Sequence, residues 1–180
     1  VTVVTKAYIK HFMRERNLSR KNITFLPNGA DTKELYPIKH DKSYRRKIGI
    51  IDDDIKLFTY AGTNAPYQGL DTIIYAANEL KNRTDIKILM AGKGPERDNL
   101  ISISKSLNLD NILFIDSPFS EMRYLMSITY ASLVVLKNNP TAKKQRLSKV
   151  IPPLACKVPI LFAGYGESEE MIKDYQCGMT

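Results

Sequence analysis

The stretch KLFTYAGTNAPYQGLDTIIYAANEL, residues 56–80, contains the pattern that decides the fold. Residues 57–61 are apolar enough to form a strand buried in a parallel sheet. Apolar residues then recur at helical spacing up to Leu80, which predicts an amphipathic helix. The loop between them contains two glycines, Gly62 and Gly69. Strand, glycine loop and helix in this order are typical of one βα unit in an open α/β sheet.

Such a loop can be a ligand site or an ordinary turn. Ligands of open α/β sheets bind where strands end, and the N–H groups at a helix N-terminus attract anions such as phosphate. A second copy of the pattern favours the ligand site. The apolar stretch IKILMA, residues 86–91, is followed by Gly92-Lys93-Gly94-Pro95 and by a predicted helix from Glu96. We therefore expect both glycine loops at the same edge of one sheet.

The rest of the chain alternates between strand and helix patterns in the same way. Further strands are predicted at residues 1–5, 23–26, 112–115, 131–136 and 158–163, and further helices at residues 7–16, 100–107, 121–129 and 167–175. Ser120 is a predicted N-cap, residues 137–146 a polar loop, and Leu147-Ser148-Lys149 the start of a short helical segment. This alternation predicts an α/β fold with a doubly wound parallel sheet and right-handed crossovers.

The composition excludes several classes of protein. The chain has 180 residues, and its apolar runs stay below the roughly 18 residues of a membrane span. Cys156 and Cys177 are far apart in sequence, which argues against a disulfide framework and fits a reducing cytoplasm. His11 and His40 have no neighbouring cluster of carboxylates or thiols, so no metal site is predicted.

The net charge of +8 indicates an anionic partner. The tyrosines of the chain are scattered and do not alternate with basic residues, as they do in proteins that bind single-stranded nucleic acid. We therefore predict no nucleic acid partner. The basic segment KHDKSYRRK, residues 39–47, is either a patch facing phosphate or membrane, or the solvated face of a short helix that Gly49 ends. Residues 52–54, three aspartates, are interpreted as a polar loop rather than a cation site.

Five segments, in order, carry a resemblance to a known family. They are NITFLPNGADTKELYP, YAGTNAPYQGLDTIIYAANEL, IKILMAGKGPERDNL, LDNILFID and SKVIPPLACKVPILFAGYGESEEMI. Together they resemble the C-terminal, donor-binding half of retaining family-4 glycosyltransferases, whose GT-B fold has two facing Rossmann-like domains. Gln68-Gly69-Leu70-Asp71 and Ser148-Lys149 look most like bacterial enzymes that add amino sugars such as fucosamine to polyprenyl-linked surface polysaccharides.

The resemblance implies a donor-binding domain within a longer glycosyltransferase. The donor would be a nucleotide-diphosphate sugar, expected to be UDP-linked, and the acceptor would be lipid-linked or a polysaccharide held by a preceding domain. Residues 1–28 would be the tail of that domain or a hinge, and residues 29–180 the donor-binding domain. The resemblance also implies transfer with retention, no metal and no separate cofactor. We expect a cytoplasmic protein that contacts the anionic inner face of the membrane.

The resemblance also implies the site residues. Lys149 would be the catalytic residue, because its charge would meet the charge that develops on the departing diphosphate. Ser148 would donate to a phosphate oxygen or cap its own helix, and Gly92 and Gly94 would either admit the ligand or make a tight turn. The base would lie against residues 116–119. The predicted substrate-binding residues are Gly62, Thr63, Gln68, Gly69, Gly92, Gly94, Asp116, Ser117, Ser148 and Lys149.

Several positions depart from the family pattern. Thr63 and Gln68 stand where the wider family has Arg and Lys, so two phosphate-binding charges are missing. The paired glutamates of the family fall on Lys144 and Pro152, and proline lacks a side chain that could hold ribose hydroxyls. Two hypotheses therefore stay open: ribose recognition rebuilt from other groups, or a degenerate, non-catalytic interaction domain. A sugar-nucleotide epimerase of the same fold is disfavoured, since its catalytic carboxylates have no counterpart.

Overall fold

The computed structural model of the chain describes residues 1–138, 140 and 144–180. Two parallel sheets are formed. A small one pairs β1 (Thr2–Val3) with β2 (Thr24–Phe25). The larger one has six strands in the order β5-β4-β3-β6-β7-β8. Their bounds are β3 (Lys56–Ala61), β4 (Ile86–Ala91), β5 (Ile112–Ile115), β6 (Ala131–Val135), β7 (Ile160–Ala163) and β8 (Gly178–Met179).

Helices connect these strands. They are α1 (Lys6–Glu15), α2 (Lys42–Lys47), α3 (Asp71–Glu79), α4 (Arg97–Ser106), α5 (Met122–Ser127), α6 (Ile151–Ala155) and α7 (Glu167–Asp174). Short 3₁₀ turns lie at Arg20–Asn22, Pro66–Gln68, Phe119–Glu121 and Ser148–Val150. Within the described residues, no helix is long and apolar enough to cross a membrane.

The strand order places a topological switch point between β3 and β6. From β3 the chain moves outward to β4 and β5, then returns to the opposite side of β3 and continues through β6 to β8. Ligands of open α/β sheets bind outside the carboxyl ends of the strands at such a reversal. The predicted doubly wound parallel sheet is confirmed, and its order makes the end of β3 the place to look for a site.

Both faces of the sheet are packed by helices. Neighbouring residues of a strand point to opposite faces, and on β4 Met90 packs with Ile74 of α3 while Leu89 packs with Leu125 of α5. A third cluster packs β6 and β7 against α6 and α7. The near-continuous apolar character of these strands follows from this burial on two sides.

Glu167, at the start of α7, joins the small sheet unit to the large one. Its Oε2 accepts hydrogen bonds from the backbone N–H groups of Lys6, at 2.8 Å, and Ala7, at 3.4 Å. A carboxylate here satisfies free donors at the N-terminus of α1 and meets the positive end of its dipole. The predicted division into residues 1–28 and 29–180 stays a prediction.

Several details differ from the sequence predictions. The helix predicted at residues 121–129 begins at Met122, and Ser120 is not its N-cap, because a 3₁₀ turn over Phe119–Glu121 precedes α5. Pro118, with φ −67° and ψ 154°, starts that turn early. β8 was not predicted, since two residues are too few for an alternating pattern. The predicted loop at residues 137–146 lies partly outside the described residues, at 139 and 141–143.

The basic segment at residues 39–47 is largely structural. Asp41 caps α2 by accepting from the Tyr44 N–H, and Gly49, at φ +84°, follows its end as predicted. Arg45 is 1% exposed and donates to the carbonyl oxygens of Asp52 and Ile55. The segment therefore fits the helix interpretation, with one arginine turned inward to hold the polar loop before β3.

Replacing Arg45 with alanine should destabilise the fold strongly. The change removes a buried guanidinium that donates to two partly buried carbonyl groups, a loss of about 2–4 kcal/mol. Urea unfolding followed by circular dichroism would measure it. The exposed neighbour Arg46, replaced in the same way, should shift the free energy of unfolding by less than about 0.5 kcal/mol. Equal effects of the two changes would contradict this role for Arg45.

Candidate functional site at the carboxyl end of the sheet

A cavity of about 530 Å³ opens at the carboxyl end of β3. Four parts of the chain form its walls: the turn at residues 28–35, the loop after β3, the segment that contains Phe119 and Met122, and the segment that leads into α6. Its lining includes Asp31, Glu34, Gly62, Thr63, Phe119, Ser148, Lys149 and Pro152. The cavity lies where the strand order predicts a ligand site.

Lys149 provides the positive charge of the cavity. Its Nζ lies 5.3 Å from the centroid of the Tyr60 ring, a cation–π distance. It also lies so close to Gly62 that a Cβ there would be 3.0 Å from Nζ. Burial lowers the pKa of the Lys149 ammonium. Among the described residues it forms no ion pair with a carboxylate, so an anionic ligand would supply its missing counter-charge.

The segment around Lys149 is held by packing and by one buried hydrogen bond. The Leu147 N–H donates to Ser168 Oγ of α7 at 3.0 Å, and both residues are buried. Val150, on the other side of Lys149, is fully buried in the cluster of α6 and α7. Pro152 lies in the first turn of α6, where a missing N–H does no harm. The ammonium is therefore presented by a fixed segment.

The glycines of the two loops allow the loops to touch. A Cβ on Gly92 would lie 2.1 Å from the carbonyl oxygen of Gly62, and one on Gly94 would lie 2.4 Å from that of Asn64. The Asn64 N–H donates to the Lys93 carbonyl at 2.8 Å. Gly92 and Gly94 thus pack against protein backbone, as the tight-turn interpretation requires. Their predicted contact with ligand stays a prediction.

Gln68 and Gly69 lie apart from the Lys149 cavity. They line a smaller cavity of about 270 Å³ together with Asp71, the first residue of α3. Gln68 is 2% exposed, and its Oε1 has no hydrogen-bond partner among the described residues. The N-terminus of α3 therefore borders this second cavity. Whether Gln68 and Gly69 bind substrate remains a prediction.

Asp116 and Ser117 lie at the end of β5. The Asp116 carboxylate pairs with Lys93 at 3.0 Å and with Arg97 at 3.4 Å, and Ser117 Oγ is 3.1 Å from the Tyr44 hydroxyl. Neither of them lines the cavity. Phe119, at the end of the predicted base-binding stretch, does line it and is 64% exposed. An exposed aromatic ring at this wall offers a surface on which a planar base could stack.

The structure adds two carboxylates that the sequence did not reveal. Asp31 and Glu34 follow the Asn28-Gly29 turn and line the same cavity as Lys149. In the sequence, Asn28-Gly29 indicated a sharp turn, but it did not indicate which side chains would reach the cavity.

The residues that the structure describes contain no group of three or more His, Cys, Asp or Glu side chains that could hold a metal ion. The two cysteines are unpaired, Cys156 buried and Cys177 partly buried. The expectation that the site needs neither metal nor cofactor stays a prediction.

The sequence from residue 41 to residue 180 matches a family model described as glycosyl transferases group 1. The chain belongs to this family. The family is therefore established over 140 of 180 residues, which include β3 to β8 and Lys149. No curated protein matches this group 1 glycosyltransferase domain by sequence.

Solved glycosyltransferases share the fold. WaaG, a glycosyltransferase involved in lipopolysaccharide biosynthesis, is 19% identical with a TM-score of 0.80, covering 99% of this chain and 48% of its own. HepE from Anabaena, solved with UDP and glucose, is 17% identical with a TM-score of 0.77, covering 95% of this chain and 46% of its own. TarM from S. aureus, solved with fondaparinux, α-GlcNAc-glycerol and UDP, is 17% identical with a TM-score of 0.73. The match covers 99% of this chain and 33% of TarM.

At this identity the likeness establishes the fold alone. The group 1 domain is the Rossmann-like half of a GT-B fold, as the resemblance implied. It spans less than half the length of these three glycosyltransferases.

Replacing Gly92 with alanine should disrupt the contact between the two glycine loops, which forms the floor of the site. The added Cβ would collide with the Gly62 carbonyl oxygen, and the backbone at φ +142° disfavours any side chain. We expect a loss of at least about 2 kcal/mol of stability in urea unfolding. Gly29→Ala is the matched control, because nothing lies within 4 Å of its added Cβ. A Gly92→Ala protein as stable as Gly29→Ala would refute the loop contact.

Proposed function

We propose that this domain is the donor half of a glycosyltransferase and binds the diphosphate of a nucleotide-linked sugar. The nucleotide that we propose is UDP. The observation that carries the proposal is the position of Lys149, a partly buried ammonium without a carboxylate partner among the described residues, in the lining of the cavity beside Gly62. A diphosphate is the kind of ligand that such a charge and the neighbouring loop backbone accommodate.

Lys149 would act on the leaving group. When the bond from the sugar to the diphosphate breaks, negative charge grows on the phosphate oxygens. A positioned cation that meets this charge can contribute about 3–4 kcal/mol to the transition state. Ser148 lies in the same cavity and carries a hydroxyl that can donate to a phosphate oxygen. Its alternative role, as an N-cap, finds no support because the turn at Ser148–Val150 has no side-chain cap.

The choice of UDP is supported by structural neighbours. The HepE structure contains UDP and glucose, and the TarM structure contains UDP. Retention of configuration, a lipid-linked or glycan acceptor, and an amino-sugar donor of the fucosamine type are proposed on the sequence resemblance. The acceptor would bind in a part of the protein outside these 180 residues. A cytoplasmic location is proposed on the same resemblance, and the net charge of +8 would favour contact with an anionic membrane surface.

Replacing Lys149 with methionine should weaken UDP binding without lowering the stability of the protein. UDP affinity should fall about 10- to 100-fold, the loss of roughly 1.5–3 kcal/mol from one charged hydrogen bond. The free energy of unfolding should stay unchanged or rise near neutral pH, because the folded state no longer has to bury an ammonium. Calorimetric titration and urea unfolding of the same preparation would measure both.

The pH dependence provides a second readout. The pKa of Lys149 is lower in the folded than in the unfolded protein, so the unfolded state holds more protons between the two values. The stability term of Lys149 therefore rises with pH across that window, while affinity for UDP falls as the ammonium deprotonates. Lys81→Met, which removes an exposed charge beyond α3, should change neither quantity. Wild-type protein that does not bind UDP would overturn the proposal.

A non-catalytic interaction domain is the second candidate. Pro152 lines the cavity where the family pattern has a ribose-binding glutamate, and Lys144 replaces its partner. These two departures are what a donor site that has lost its ligand would show.

Pro152→Glu distinguishes the two candidates. If the site has degenerated, the new carboxylate should raise UDP affinity at least about tenfold, the effect of one hydrogen-bonded pair to a charged group. If ribose recognition has been rebuilt from other groups, affinity should stay within about threefold. Titration of both proteins with UDP measures this, and Pro153→Glu, one residue deeper in α6 and buried, serves as the comparison for general damage to the helix.

A further inference from the structure

The cavity holds charges of opposite sign that do not pair with each other. Lys149 lies on one wall, and Asp31 and Glu34 lie on the turn that forms another wall. None of the ion pairs between described residues joins Lys149 to either carboxylate. Opposite charges that face one cavity without closing on each other leave room for a ligand that contacts both.

The two carboxylates differ in what they already do. Asp31 Oδ1 accepts a hydrogen bond from the Lys33 N–H at 2.9 Å, so it stabilises its own turn. The Glu34 side chain makes no hydrogen bond or ion pair to another described residue, although its backbone N–H donates to the Asp31 carbonyl. Glu34 therefore keeps its acceptor capacity for a ligand.

The nearby Arg123 forms no ion pair or hydrogen bond with Glu34. Glu34 contributes only weakly to the raised pKa of the Arg123 guanidinium, after larger contributions from Tyr124 and Tyr36. Arg123 donates its hydrogen bonds to the hydroxyl groups of these two tyrosines, at 2.9 and 3.1 Å. Its attraction to the tyrosine rings, with centroid distances of 4.9 and 5.4 Å, holds it in place.

Several other lining side chains of the cavity cannot accept hydrogen bonds from hydroxyl groups. Pro152 has no side-chain acceptor, and Met122 and Ile151 are apolar. A carboxylate is the group best suited to vicinal hydroxyls, since its two oxygens can accept from both at once. Among the described lining carboxylates, Glu34 is the one whose side chain has no hydrogen-bond partner.

We infer that Glu34 accepts hydrogen bonds from hydroxyl groups of the bound nucleotide sugar while Lys149 binds its diphosphate. The inference rests on the proposed function and extends it, because Glu34 would supply the hydroxyl recognition that Pro152 cannot. The hydroxyls could belong to the ribose or to the donor sugar, which share this chemistry.

Calorimetric titration with three probes tests this role. Pyrophosphate carries the charge alone, UDP adds the ribose, and UDP-glucose adds a sugar. Glu34→Gln should weaken binding of UDP or UDP-glucose about tenfold, as expected for one hydrogen-bonded pair to a charged group. Binding of pyrophosphate should stay the same or become tighter, since a negative charge has been removed. Lys149→Met should weaken binding of all three.

The comparison of probes identifies the hydroxyls. A loss already seen with UDP assigns Glu34 to the ribose, and a loss seen only with UDP-glucose assigns it to the sugar. Either result supports the inference. Glu34→Asp, which keeps a shorter carboxylate, should recover part of the lost affinity. Glu79→Gln removes an exposed carboxylate on α3, outside the lining of the cavity, and should bind all probes like the wild type.

Three outcomes would overturn the inference. The first is a Glu34→Gln protein that binds UDP and UDP-glucose as tightly as the wild type, or more tightly. The second is an equal loss for pyrophosphate, which would make Glu34 a structural residue. Both leave the proposed function standing when the wild type binds UDP. Failure of the wild type to bind any probe is the third outcome, and it would remove the proposed function as well. Thermal unfolding of each variant checks that it is folded.

Discussion

The contact between the two glycine loops is the constraint on which the site depends. The loop after β4 approaches the loop after β3 so closely that a side chain at Gly92 would overlap the carbonyl oxygen of Gly62. Hydrogen bonds from Gly62 to Ala91 and from Asn64 to Lys93 continue the pairing of these strands past their ends. This rigid floor fixes the place where Lys149 meets Gly62, and the cavity opens beside it.

Holding the Lys149 ammonium in the cavity lowers the stability of the folded protein. An ammonium group that is partly removed from water, as the lowered pKa of Lys149 indicates, is unfavourable in an empty site. The Tyr60 ring offsets part of this, and burial raises the pKa of its hydroxyl, which donates to the Thr63 carbonyl. A bound diphosphate would offset the remainder. Electrostatic strain of this kind is concentrated at functional sites.

Sequence patterns predicted the framework and one part of the site. Burial on both faces makes the strands apolar throughout, so their alternation with helices was enough to predict the parallel sheet. The family resemblance led to Lys149 and the Gly62 loop, which the structure brings together. It did not lead to Glu34, nor to the separation of Gln68 into a smaller cavity. The direction of a loop side chain depends on tertiary packing, which has no period in the sequence. Arg45 is the same case, since its inward direction depends on two carbonyl groups seven and ten residues further along the chain.

The unequal construction of the cavity walls has a consequence for protein engineering. The loop after β3, on one wall, packs on Gly92 and Gly94, where an added side chain would collide with its backbone, so randomising these two positions would yield mostly destabilised variants. Other walls consist of exposed side chains on a surface turn, Glu34 among them, and on the Phe119 segment. Substitutions there leave the floor intact. A library meant to alter ligand binding without disturbing the fold should therefore be confined to the turn and to Phe119.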